Sequence, residues 1–176
     1  ISVFNPSIYT AGTINSAWNA FYKIVSRANL FLERVEHLEF NVEDDAEVVD
    51  VKATFMAEAR FLRAYAYFEL VRYWGRVPVA TKSLSAAEAM STPQSEAQDV
   101  YEQVIIPDLQ YAIENMKERA YTSSGGIAES GRATLPAAQA LLGRVYLTMA
   151  GFPLYDTSKL SLAKEVLGEV IRREKQ

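Results

Sequence analysis

The spacing of apolar residues along the chain predicts five main helices. They extend from about Ser16 to Leu38, from about Val48 to Trp74, from about Ser95 to Met116, from Leu135 to Ala150, and from about Thr157 towards the C-terminal end. Each repeats apolar residues at intervals of three and four, as one face of an α-helix does. No convincing strand is predicted, because even the β-branched stretch 100–106 follows the helical period. The pattern therefore predicts an all-α fold, with residues 1–176 in a single helical domain.

The second predicted helix is apolar on two sides. Its stripes are Phe55, Ala59, Leu62, Ala66 and Leu70, and, rotated from these, Phe61, Ala64, Phe68 and Val71. A helix with two apolar sides is packed between neighbouring elements, so both Phe61 and Leu62 are expected to be buried. Gly75 is suited to a left-handed C-cap, and Pro78 prevents the helix from resuming.

Local signals define the boundaries of two further helices. Ser95 and Gln98 have the spacing of a capping box at the start of the third helix. Pro107 lies inside that helix and is expected to kink it, because proline removes one hydrogen bond and crowds the preceding turn. Thr134 is a natural N-cap for the fourth helix. Between the second and third helices the chain is predicted to be an exposed connector, with a possible short helical turn at 86–90.

The composition excludes several classes of function. The chain has 18 lysine and arginine residues, 22 aspartate and glutamate residues and a net charge of −4. This balance argues against nucleic acid as a partner, since a basic surface supplies most of that affinity. There is no cysteine, which excludes disulfides, zinc-thiolate sites and cysteine nucleophiles. No apolar run approaches the roughly 20 residues that span a bilayer.

The polar residues within the helices favour structural roles. His37, the only histidine, is predicted to be solvated at a helix end. Asn29 interrupts an apolar stripe, and we expect it to be buried and bonded to neighbouring backbone. Glu58 is predicted to make a structural hydrogen bond or ion pair, whereas Arg60 and Arg63 are expected to extend from the packed helix towards water.

Aromatic residues raise the question of sugar stacking, but most lie at core spacing. Tyr65, Tyr67, Tyr101 and Tyr146 are predicted to be core residues. Trp74 at a helix exit is better placed for exposure, and the alternative is that it closes the hinge beneath Pro78. No serine–histidine–acid arrangement, phosphate loop or carboxylate pair is present. The sequence predicts no catalytic residue, no cofactor and no metal site, and it identifies no ligand-binding residue.

The helices also carry a repeat signal. Leu142-Gly143-x2-Tyr146 has the spacing of a tetratricopeptide first helix, and Ala163-x3-Leu167 has that of the second. In such repeats a small residue lets one helix pack into the groove of the next. The expected architecture is therefore a set of tetratricopeptide-like helix pairs.

Three segments match a known family along whole helices. They read EARFLRAYAYFELVRYWGRVPV at 58–79, GRATLPAAQALLGRVYLTMAG at 131–151 and WNAFYKIVSRANLFL at 18–32. Together they resemble the SusD/RagB family, the surface nutrient-binding lipoproteins of Bacteroidetes-type bacteria. Leu135-Pro136 departs from the lysine-glycine pair more usual in the family, which affects only the entry to that helix.

The resemblance implies a non-enzymatic binding function. Such a protein captures oligosaccharides, sometimes peptides, at the outer-membrane surface and delivers them to a SusC-type TonB-dependent transporter. Family members are longer than this chain and carry a lipid anchor, so we interpret the chain as an internal fragment with any anchor upstream. Two alternatives are a tetratricopeptide adaptor that binds a partner peptide and an enzyme whose catalytic residues lie outside the chain.

Overall fold

The computed structural model describes residues 11–38, 45–116 and 131–173. Its helices are α1 (Ala11–Val35), α2 (Asp45–Trp74), α3 (Ala86–Ser91), α4 (Ala97–Val100), α5 (Ile106–Asn115), α6 (Leu135–Ala150) and α7 (Lys159–Arg173). A π-helical turn (Tyr101–Ile105) joins α4 to α5, and strands β1 (Val77–Pro78) and β2 (Gln94–Ser95) pair antiparallel. The all-α prediction is confirmed, since the sheet within these ranges has only two strands of two residues each.

Five of the helices pack in a row. α2 contacts α1 and α5, α5 also contacts α6, and α6 packs against α7. The main core lies along this row, and its fully buried members include Val25, Tyr67, Phe68, Leu70, Val104, Ile105, Leu109, Val145 and Met149. α2 is therefore packed between neighbours, as its two apolar stripes predicted.

Two side chains expected to be buried are instead partly exposed. Leu62 is 48% exposed and Tyr65 is 38% exposed, whereas Phe61 is partly buried against the core. Neighbours on two sides do not enclose the whole circumference of α2, and Leu62 borders an open groove between α1 and α2. Ile171, an apolar residue of α7, is 55% exposed, because α7 lies at the end of the row with α6 as its packing partner.

Two glycines act as the sequence predicted. Gly75 follows α2 with a φ of 71°, the left-handed conformation of a helix C-cap, and its N–H donates to the carbonyl of Val71 at 2.8 Å. Gly143 on α6 faces Leu167 on α7, so closely that an added Cβ would overlap the leucine side chain. The close approach of α6 and α7 therefore depends on the absence of a side chain at position 143.

A wider turn precedes Pro107, where a kink was predicted. The N–H of Ile106 donates to the carbonyl of Tyr101, five residues back, so the π-helical turn stands immediately before the proline. The capping box predicted from Ser95 and Gln98 is wrong. Ser95 pairs with Val77 in the small sheet, which removes it from the N-cap position of α4.

Capping boxes and N-caps occur elsewhere in the fold. Ser85 caps α3, the short helix expected near 86–90, in a reciprocal capping box with Glu88. Thr134 caps α6 as predicted, accepting a hydrogen bond from the N–H of Ala137 at 3.4 Å. The loop predicted at 122–126 lies outside the described residues.

Candidate functional site

A buried ion pair joins α2 to α5. The Arg63 guanidinium donates from Nε to Asp108 Oδ2 at 2.7 Å and from Nη2 to Oδ1 at 2.8 Å. Arg63 is 6% exposed and Asp108 is 2% exposed, so the pair is almost entirely removed from water. Two parallel charge-assisted bonds are the strong form of this interaction and also fix its geometry.

The same guanidinium is connected to α1 through Asn29. Arg63 Nη1 donates to Asn29 Oδ1 at 2.7 Å, and Asn29 Nδ2 donates to the carbonyls of Ala80 and Lys82, each at 2.9 Å. Arg63 Nη1 also donates to the carbonyl of Thr81 at 3.1 Å. We refer to Asn29, Arg63 and Asp108 together as the polar anchor. It joins three helices to the segment that follows α2.

The expectations for these polar residues had mixed outcomes. Asn29 is buried and bonded to backbone, as predicted, and Glu58 forms the expected ion pair, with Arg132 at 2.8 Å. The prediction that Arg63 extends to water is wrong, because Asp108 supplies a buried countercharge from a distant part of the chain. Arg60 stays partly exposed, and its guanidinium lies 4.2 Å from the centre of the Tyr111 ring.

Two tyrosines hold the segment after α2 against the helices. Tyr22 on α1 donates to the carbonyl of Pro78 at 2.7 Å. Tyr67 on α2 donates to the carbonyl of Ala80 at 3.0 Å and accepts from its N–H at 2.7 Å. Burial raises the pKa of Tyr67 to about 12 and raises that of Tyr22 as well, so both hydroxyls stay protonated.

The segment is held at its other end by Glu33. The Ser83 N–H donates to Glu33 Oε1 at 2.6 Å. The hydrogen bonds from Ser83 lower the pKa of the Glu33 carboxyl, with a smaller contribution from Lys82. Residues 78–83 are therefore bonded to α1 and α2 at successive positions, although they form little regular structure.

A chain of aromatic rings adjoins the polar anchor. It runs from Tyr67 to Tyr22 at 6.4 Å between ring centres, then to Trp18 at 4.8 Å and Trp74 at 5.2 Å. It continues from Trp74 to Tyr73 at 5.6 Å. Trp74, the ring considered better placed for exposure, is partly buried in this chain of rings. The exposed ring at the end of the chain is Tyr73, which is 66% exposed.

A cavity of about 300 Å³ lies between α1 and the segment 78–92. Its lining includes Trp18, Tyr22, Ser26 and Asn29 from α1, with Pro78, Ala80, Lys82, Ser83, Leu84, Ala89 and Thr92 opposite. We call it the α1 cavity. No direct signal in the sequence predicts this cavity, because its two walls are some 50 residues apart in the chain. Only the helical spacing of Trp18, Tyr22, Ser26 and Asn29 marks one side.

The other predicted residues are placed as follows. His37 is exposed at the end of α1, and Tyr101 and Tyr146 are buried in the core as expected. Within the described ranges no group of three or more histidine, cysteine or acidic side chains is arranged to hold a metal ion. Of the helices described here, none is both long enough and apolar enough to cross a membrane.

A family model whose description reads starch-binding associating with outer membrane, SusD-like, matches residues 4–147. The chain belongs to the SusD-like family. A SusD-like protein from Bacteroides ovatus is 33% identical over 161 residues, which is 89% of this chain and 27% of that protein. The resemblance stated from the three helical segments is thereby confirmed.

Solved SusD-like structures superpose on most of the chain. A SusD superfamily protein from Parabacteroides distasonis superposes with a TM-score of 0.77 and 31% identity. The match covers 91% of this chain and 31% of the Parabacteroides protein. A structure with xylogluco-oligosaccharide (TM-score 0.72, 31% identity) and a laminarin binding SusD-like protein (TM-score 0.70, 32% identity) cover 89% and 88% of this chain, and each is matched over 29% of its length. The tetratricopeptide-like helical fold is confirmed by these matches, and the chain spans about three tenths of its relatives' length.

Proposed function

We propose that this chain is the helical part of a longer SusD-like protein that binds oligosaccharides non-covalently at the bacterial outer-membrane surface. The observation that carries the proposal is the superposition of about nine tenths of the chain on a structure with xylogluco-oligosaccharide and on a laminarin binding protein. The description of the family, starch-binding associating with outer membrane, supports both the ligand class and the location. In this proposal residues 1–176 form one helical domain within the longer protein.

The proposed mechanism is capture and transfer without bond cleavage. The protein holds a glycan, forms a lid over a SusC-type TonB-dependent transporter, and releases the glycan to it. A lipid anchor on another part of the protein keeps it at the membrane. The helical row supplies the rigid frame, because the polar anchor and the aromatic chain fix the segment after α2 against α1 and α2.

The test is calorimetry of the full-length protein against malto-, laminari- and xylogluco-oligosaccharides. We expect saturable binding of at least one of them. The 176-residue chain alone is expected to bind more weakly, since it provides only part of the frame. In parallel, chromatography of each glycan after prolonged incubation should show no new product. Cleavage by the full-length protein would refute the non-enzymatic mechanism, and absence of binding to every glycan would contradict the proposed ligand class.

A further inference from the structure

The shape of the α1 cavity suits a short segment of a small, rigid ligand. Its volume of about 300 Å³ lies at the lower end of the roughly 300–1,000 Å³ typical of small-molecule sites. One wall is a single face of α1, and the other is the segment 78–92. A concave site between a helix and a hydrogen-bonded segment encloses a ligand from two sides.

The lining combines aromatic faces with hydroxyl groups. Trp18 and Tyr22, one helical turn apart, supply partly exposed rings on α1. Ser26, the next residue on the same face, and Ser83 and Thr92 opposite supply hydroxyls. The Thr92 hydroxyl donates to the carbonyl of Glu88 at 2.7 Å, so it offers a ligand an acceptor. A pyranose presents apolar C–H groups on its ring faces and hydroxyls at its edge, so it requires a lining of this mixed kind. Most small-molecule sites likewise have an apolar or aromatic lining with a few placed polar groups.

The positive charge of Lys82 in the cavity lining is offset by nearby carboxylates of the protein. Among the lining residues that the structure describes, Lys82 is the one charged side chain. Glu33 and Glu88 lie close enough for its charge to contribute to lowering the pKa of both carboxyls, after the larger effect of their serine hydrogen bonds. A neutral ligand suits such a site better than an anion, because Lys82 already has two carboxylates near it.

Both walls of the cavity are fixed before any ligand binds. Trp18 packs between Tyr22 and Trp74, with ring centres 4.8 Å and 5.2 Å away. The opposite wall is held by the bonds from Asn29 to the carbonyls of Ala80 and Lys82. A site whose side chains are already ordered loses less conformational entropy on binding.

We propose that the α1 cavity binds a sugar residue of a neutral glycan, with Trp18 as the stacking face and the serine and threonine hydroxyls as hydrogen-bonding partners. This inference rests on the proposed function and adds to it the place on the chain where the ligand is held. A second aromatic surface lies nearby, the open groove formed by Phe21, Tyr73 and Trp74. That groove is lined by a single serine or threonine, Thr13, whereas three line the α1 cavity from both walls, so the proposal places the ligand in the α1 cavity and not there.

The experiment fills the cavity from its exposed rim and leaves the core unchanged. Ala89→Leu and Ser26→Leu add bulk from opposite walls, and both positions are exposed, so the fold should persist. Ala20→Leu is the matched control, because Ala20 is an exposed residue of α1 that lines none of the cavities described here. Tyr73→Ala removes the exposed ring of the neighbouring groove.

Each variant is made in the full-length protein and titrated by calorimetry with the glycan of the panel that the unmodified protein binds most tightly. Ala89→Leu and Ser26→Leu are each expected to weaken binding roughly tenfold or more, since a filled cavity loses its ligand contacts. Ala20→Leu and Tyr73→Ala should bind as the unmodified protein does. Thermal unfolding midpoints equal to that of the unmodified protein would show that the filled variants are folded.

The possible results separate this inference from the proposed function. Unchanged binding in both filled variants would overturn the α1 cavity as the site while leaving glycan binding established. Loss of binding in Tyr73→Ala alone would instead place the ligand in the neighbouring groove. If the unmodified protein binds no glycan of the panel, the proposed function fails and this inference fails with it.

Discussion

The cost of breaking the buried ion pair between Arg63 and Asp108 can be predicted from its two hydrogen bonds. Asp108→Asn keeps the size of the side chain but removes the charge that balances Arg63. Two charge-assisted bonds, at 2.7 Å and 2.8 Å, connect the pair, and each such bond contributes about 1.5–3 kcal/mol. Asn keeps one acceptor but leaves a buried cation without its counter-ion. We therefore expect the free energy of unfolding to fall by about 3–5 kcal/mol.

A second substitution tests whether the cost comes from the unpaired charge. Arg63→Met alone leaves the buried Asp108 carboxylate with only the partly exposed Arg60, at 3.5 Å, as its ion-pair partner, so the loss should be at the lower end of about 3–5 kcal/mol. The double variant removes both buried charges, although the partly exposed Arg60 loses its 3.5 Å ion pair with Asp108, and Asn29 Oδ1 and the Thr81 carbonyl lose a donor. It should therefore lose less stability than the two single losses added together, by about 1–3 kcal/mol.

The assay is urea unfolding of the unmodified chain, both single variants and the double variant, with linear extrapolation to water. Glu169→Gln is the control, because it removes the charge from an exposed ion pair with Arg172 and should cost less than about 1 kcal/mol. A loss below about 1 kcal/mol for Asp108→Asn, or strictly additive losses in the double variant, would show that the pair is not the buried, coupled unit described here.

Three further outcomes are expected. Gly143→Ala should lower the free energy of unfolding by about 1–2 kcal/mol in urea titrations, because overlap with Leu167 outweighs the gain in helix propensity. A more stable variant would contradict the close contact between α6 and α7. Leu62→Ala should cost only about 1 kcal/mol, since the side chain is 48% exposed, and a loss in the range of about 2–5 kcal/mol would show that it is buried after all. Hydrogen bonding from Ser83 lowers the pKa of the Glu33 carboxyl, so the stability that this bond adds is present above the ordinary pKa of about 4.5 and is lost as pH falls through the lowered pKa. Hydrogen exchange at the Ser83 N–H should therefore accelerate as pH falls through the lowered pKa. A flat pH profile after correction for intrinsic exchange would count against the bond.

The sequence could predict whatever depends on residues close together in the chain. The helical periods, the two apolar stripes of α2, the left-handed conformation of Gly75 and the N-cap of Thr134 all follow from neighbours within a few positions. The identity of whole helices was also enough to recognise the SusD-like family, which the comparisons confirm. Even the small residue at 143 indicated a close helix contact before its partner was known.

Tertiary structure decided which polar groups meet and which surfaces remain open. Arg63 was expected in water because no countercharge lies near it in the sequence; the fold brings Asp108 to it from 45 positions away. Ser95 was read as a cap, but pairing with Val77 removed it from that position. The α1 cavity has walls that only long-range packing brings together. Local pattern fixes the period and the ends of a helix, whereas burial, ion pairing and cavities depend on neighbours that the chain supplies from a distance.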